Sequence, residues 1–194
     1  MKFARCIFLM TSLALMIPHI QAVESSQELI DTICRETEDY EFCNEIIQKN
    51  ANASTANLHD LTDHIIILSM KHASDTYTFI GNILRKRHES DEETAGLNTC
   101  LGVYNSESTI FVIVHEHFYL REYERMILAI LSTTKILKDC KTDFPVPPNK
   151  ENPLIEKNRE MRILITMSTV SGYMLINGNH SLLSSVVTGL EVSQ

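Results

Sequence analysis

The chain has no tryptophan, six glycines and five prolines in 194 residues. Pro18 stands alone near the start, and the other four fall between positions 145 and 153. So little turn chemistry excludes sandwiches and barrels, whose strands need Gly, Pro or Asn punctuation roughly every 8–12 residues. Basic side chains are also short: 17 Lys and Arg stand against 25 Asp and Glu, a formal charge of −8. That balance excludes a duplex-binding or polybasic lipid-binding protein, because both depend on Lys and Arg against phosphate. It suits a basic protein partner, since opposite fields speed encounter.

The spacings that carry chemistry are missing too. There is no C-x-x-C, H-E-x-x-H, G-x-S-x-G, Walker or Rossmann glycine pattern. His115 and His117 flank Glu116 but point to different faces of a helix, and His59 and His64 are five apart, a poor ligand pair. Asp91-Glu92-Glu93 reads as a solvated run. The expectation is a binding protein rather than an enzyme, with no catalytic residue, cofactor or metal.

What is present begins with a leader. Lys2 and Arg5 precede an apolar run from Cys6 to Ile17, Pro18 breaks it, and Ile20-Gln21-Ala22 ends on a small residue. This pattern is that of a secretory signal peptide over 1–22. No other apolar run reaches the roughly 18 residues a membrane span needs. Removing 22 residues from 194 leaves a 172-residue domain over 23–194; two of the 17 basic residues go and none of the 25 acidic ones, for a formal charge of −10. Secretion makes Asn52-Ala53-Ser54 and Asn179-His180-Ser181 candidate glycosylation sites, at Asn52 and Asn179.

Cys6 leaves with the leader, and four cysteines remain: Cys34, Cys43, Cys100 and Cys140. An even count in a secreted chain reads as two disulfides, for which three pairings exist on paper. The nine-residue spacing of Cys34 and Cys43 suits a local clip, which leaves Cys100 and Cys140 to join distant segments. Closing loops of these lengths is worth about 3 and 4 kcal/mol in the chain-entropy model.

The rest is helix-period pattern. Residues 23–50 form a helical hairpin, with Leu29, Ile30 and Ile33 on one stripe and Phe42, Ile46 and Ile47 on the other. Asn57 caps a helix over 58–87 with a seam of Ile66, Met70, Ala73, Tyr77, Ile80 and Leu84. A second helix, 92–117, repeats the step through Leu97, Leu101, Tyr104, Ser108, Phe111, His115 and Phe118. A third, 119–140, presents Tyr123, Ile127, Ile130, Thr134 and Leu137. After the proline-rich break a fourth runs over 154–176 with Leu154, Met161, Ile165, Ser168, Gly172 and Leu175 inward, and Asn177-Gly178-Asn179 stops it. The β-branched Ile110–Val114 could be read as a strand, but the helical seam continues on both sides. Short breaks between long amphipathic helices imply an all-α, antiparallel up-down-up-down four-helix bundle over 58–190, carrying the disulfide-stapled hairpin. In that order Cys100 and Cys140 lie at adjacent ends of an antiparallel pair. A secreted four-helix signalling ligand or a lipid carrier with a Met-lined cavity shares parts of this description.

The segment Glu28-Leu29-Ile30-Asp31-Thr32-Ile33-Cys34-Arg35-Glu36-Thr37-Glu38-Asp39-Tyr40-Glu41-Phe42-Cys43 resembles the N-terminal signature of the plant invertase/pectin methylesterase inhibitor family. Cys34, Thr37, Tyr40 and Cys43 hold; Glu38 replaces the usual Pro, and Ile33 a common Thr. Cys100 with Tyr104, Arg121-Glu122-Tyr123, Phe144, and Pro153-Leu154 with Asn158 are similar to later family positions. The resemblance implies a helical hairpin on a four-helix bundle, and a monomer that blocks a cell-wall or vacuolar enzyme one-to-one. Some members cap the pectin methylesterase cleft; others insert Pro-Lys-Phe into acid invertase. Here the comparable region reads Leu120-Arg121-Glu122-Tyr123-Glu124-Arg125, which favours pectin methylesterase as the expected partner and the cell wall as the expected place, with the vacuole as the other.

Overall fold

The structure is a computed structural model that describes residues 25–50, 57–86, 91–142 and 152–190. The leader and Asn52 lie outside the described residues, as does the side chain of Asn179. Every described element is a helix: α1 Ser26–Cys34, α2 Tyr40–Asn50, α3 Leu58–Lys86, α4 Asp91–Tyr119, α5 Tyr123–Leu137 and α6 Leu154–Leu190. No described helix is long and apolar enough to cross a membrane.

Helix starts follow from short polar side chains that take otherwise orphaned backbone N–H groups. Ser25 Oγ accepts from Glu28 N at 3.2 Å, Asp39 Oδ1 from Phe42 N at 2.9 Å and Asn57 Oδ1 from Asp60 N at 3.0 Å. Asn152 Oδ1 accepts from Leu154 N at 2.9 Å and opens α6.

Helices α3, α4, α5 and α6 close a ring, each packed on its two neighbours in chain order, with α6 returning to α3. Short connections make the neighbours antiparallel, so this is the up-down-up-down bundle. Its core gathers Ile66, Ala73 and Ile80 from α3, Tyr104, Phe111 and Phe118 from α4, Met126 and Ile130 from α5, and Met161 and Ile165 from α6. A second core lies under the hairpin. There Leu29, Ile30, Ile33 and Ile47 cover Leu61 and Ile65 of α3 and Ile163, Leu164 and Met167 of α6. The short hairpin helices, marginal on their own, are thus held by burial against two long ones.

Small residues on α6 bring its neighbours close. Ser168 Oγ lies 3.2 Å from Ser69 Oγ across the α3–α6 seam. At Gly172 an added Cβ would sit 2.6 Å from Ile127 Cδ1 and 2.7 Å from Met126 Cε of α5.

Several sequence expectations are corrected. Thr76 rather than Tyr77 is buried on α3, Glu107 rather than Ser108 on α4, and Thr133 rather than Thr134 on α5. Each is a shift of one position, because a straight helix at 3.6 residues per turn drifts from a fixed alternation of three and four. Tyr119 closes α4 and residues 120–122 turn rather than open the third helix, which begins at Tyr123. Asn177-Gly178-Asn179 does not stop α6, which continues to Leu190. No described glycine takes a positive φ, so Gly178 makes no left-handed cap; inside a long helix it costs only about 1 kcal/mol.

Glu107 is the anomaly of the core. It is 0% exposed, and neither carboxylate oxygen has a hydrogen-bond partner. Burial alone pushes its carboxyl up to about 8, so the folded protein keeps it protonated in acid. Its ordinary value of 4.5 applies in the unfolded chain. Between the two values the native state binds more protons, and stability falls as pH rises. The thermal midpoint is therefore expected to drop from about pH 5 to pH 8. Glu107→Gln should flatten that slope in thermal denaturation followed by circular dichroism; an unchanged slope would place the carboxylate in a solvated setting.

The structure pairs Cys34 with Cys43, Cα atoms 5.5 Å apart, and Cys100 with Cys140, Cα atoms 4.4 Å apart. Removing the second bridge as Cys100→Ser/Cys140→Ser frees a loop of about forty residues. It is expected to cost about 4 kcal/mol in denaturant unfolding.

Candidate protein-binding surface

The end of α4 carries a Schellman-type stop. Glu122 N donates to His117 O at 2.9 Å and Arg121 N to Phe118 O at 3.0 Å. Arg121, the middle of the three residues between α4 and α5, has φ 56°. That left-handed position usually takes glycine, and a side chain there is strained by about 1–2 kcal/mol. Strained backbone concentrates where a protein binds or acts.

Polar contacts fix this turn. Glu122 Oε2 lies 2.8 Å from His117 Nδ1, and Glu122 Oε1 accepts from Arg125 at 3.2 Å. Exposed apolar side chains stand around it, among the exposed charges of Glu116, Arg121, Glu124 and Arg125. Tyr119 is 63% exposed and Leu120 61%. Val112, 55% exposed, lies about two turns before Tyr119 on the same stripe as Glu116, and Leu128 (68%) and Leu131 continue the exposed apolar positions on α5. Exposed aromatic and aliphatic side chains with an adjacent Arg are the composition of protein interfaces.

Four histidines, His59, His64, His115 and His117, lie at this end. His115 Nε2 meets Asp63 Oδ1 of α3 at 2.9 Å, and His117 meets Glu122, so the two do leave the helix in different directions. The His59 ring lies on Phe118 with centroids 4.4 Å apart. Burial holds the His64 imidazole below its ordinary value, and its Nε2 has no hydrogen-bond partner. Among the described residues no group of three His, Cys, Asp or Glu could hold a metal.

The hairpin corner is fastened to α6 by charge. Arg159 donates to Asp39 at 2.7 Å and stands over the Phe42 ring at 5.3 Å, while Arg162 donates to Glu38 at 2.8 Å. Glu38 therefore supplies an ion pair where the family signature has proline. Thr37 Oγ1 donates to Cys34 O and Tyr40 OH to Asp31 Oδ1, at 2.8 and 2.7 Å. Two signature side chains thus lock the hairpin itself. The exposed tip at 119–121 was not legible as an interface, because its helix cap uses Arg where a glycine would signal the turn.

A family model described as plant invertase/pectin methylesterase inhibitor matches residues 28–110, from α1 into α4. A curated protein of Platanus acerifolia, "Putative invertase inhibitor", is 23% identical over 174 residues, covering 87% of this chain and 94% of that protein. A crystal structure of a pectin methylesterase inhibitor from Arabidopsis thaliana superposes with TM-score 0.56 at 16% identity. Mutant form A of such an inhibitor from Arabidopsis superposes with TM-score 0.65, also at 16% identity. Both structures cover 75% of this chain and 95% of their own.

The family model spans 83 of the 194 residues, and the fold is the one the two solved inhibitors have. The solved structures share the helical architecture described above.

Replacing Arg121 by glycine relieves the left-handed strain. Arg121→Gly is expected to raise unfolding free energy by about 1 kcal/mol, measured by urea denaturation. Loss of stability would mean that the Arg121 side chain supports the turn.

Proposed function

We propose that this chain is a secreted protein inhibitor that blocks the cleft of a pectin methylesterase in a one-to-one complex. The observation that carries the reading is the exposed apolar tip at Tyr119 and Leu120, held rigid by the α4 stop on a pectin methylesterase inhibitor fold. A preorganised tip loses little entropy on docking. The acidic balance of the chain favours encounter with a basic wall-bound esterase. Blocking access needs no chemistry from the inhibitor, which accords with a surface built for contact rather than reaction. The cell wall is the proposed place of action, reached through the leader at 1–22, with Asn52 and Asn179 as proposed glycan sites.

The alternative target is an acid invertase, favoured by the name of the Platanus acerifolia relative. Against it stands the sequence of the tip, Leu120-Arg121-Glu122, which has no Pro-Lys-Phe to insert.

Titration of the oxidised chain into each enzyme at mildly acidic pH separates the two. Stoichiometric loss of esterase activity with invertase untouched is the expected result; the reverse assigns the chain to invertase. Tyr119→Ala/Leu120→Ala removes two central apolar anchors and is expected to weaken inhibition at least tenfold. Its thermal midpoint should be unchanged, because both side chains are exposed. Full inhibition by that variant would move the contact to another face.

A further inference from the structure

At the other end of the bundle a cavity of about 350 Å³ lies between the end of α5, the segment after it and α6. It falls at the small end of the ligand-pocket range. Its charged lining is wholly basic: Lys138, Lys141 and Arg162, with no carboxylate among the lining residues. That is unusual in a chain with 25 acidic residues against 17 basic ones. Glu38 holds Arg162 from the hairpin, so the available charge is that of Lys138 and Lys141. Both are exposed, and neither pairs with a carboxylate among the described residues. The partial negative charge at the C-terminus of α5 is about half an elementary charge, against two full positive ones.

The uncharged lining narrows the ligand further. Thr134, Thr142 and Thr166 offer hydroxyls, and Leu137 and Ile165 an apolar wall. Cations, hydroxyls and an apolar wall together match a ligand with a carboxylate, ring hydroxyls and an apolar ring face. A bare oxyanion would use only the first of these.

We propose that this cavity binds the carboxylate of an acidic sugar, a uronide, with Lys138 and Lys141 on the carboxylate and the threonines on the ring hydroxyls. The site is independent of the enzyme target proposed above, because binding is read on the chain alone. The site also lies away from the tip. Cys100 and Tyr119 are nineteen residues apart on α4, roughly 28 Å along the helix, and Cys140 beside the cavity is bridged to Cys100.

The test is calorimetric titration of the oxidised chain with trigalacturonate, its methyl ester and inorganic phosphate. Saturable binding of trigalacturonate is expected, at least tenfold weaker for the ester and for phosphate. Lys138→Gln/Lys141→Gln should lower affinity at least tenfold, while Lys135→Gln, on α5 outside the cavity, should leave it unchanged. Lys141→Glu, at an exposed position, is a second variant that should abolish binding even if the double variant folds poorly. Absence of saturable binding, equal binding of the ester or of phosphate, or undiminished affinity in Lys141→Glu would each overturn the assignment.

Discussion

One buried amide holds the bundle in register. Asn158 on α6 accepts from Tyr104 OH of α4 at 2.8 Å and donates to the Cys140 carbonyl beyond α5, also at 2.8 Å. Helices α4 and α6 and the segment that follows α5 therefore meet at one side chain, next to the bridge that joins Cys140 to Cys100. A buried polar group is costly unless satisfied, so this cluster tolerates one arrangement of α4, α5 and α6. Burial also raises the Tyr104 hydroxyl well above its ordinary value, which keeps it a donor. With one end of the α4–α5 pair fixed there, the opposite end is free to present a surface.

The same helix, α6, carries the hairpin. Its side next to α1 and α2 offers Ile163, Leu164 and Met167 as floor and Arg159 and Arg162 as fasteners. Its remaining faces supply Ser168 to α3 and Gly172 to α5. A long helix hydrophobic on most sides is buried on most sides.

Much of this was legible in the sequence, and the reason is periodicity. The number and order of the helices followed from apolar spacing, and the fourth helix's inward set, including Ser168 and Gly172, is buried. The misses have physical causes. Tyr77, Ser108 and Thr134 were placed inward by a rule of fixed steps, whereas the helices drift by a residue and put Thr76, Glu107 and Thr133 there instead. A buried glutamate is the residue such a rule is least able to expect. The α4 stop at Arg121 was hidden because a non-glycine residue takes the left-handed position. Conversely, Asn177-Gly178-Asn179 looked like a stop, yet α6 passes through it. The interface at the tip depends on which apolar residues stay exposed, and that is set by how four helices meet rather than by any one of them.

The division of labour is thus between a locked end and a presented end. The direct measurement is hydrogen exchange of the chain, free and saturated with a pectin methylesterase. The account predicts new protection confined to residues 112–131, across the end of α4, the turn and the start of α5. Protection on the hairpin at 25–50, with 112–131 unchanged, would contradict it.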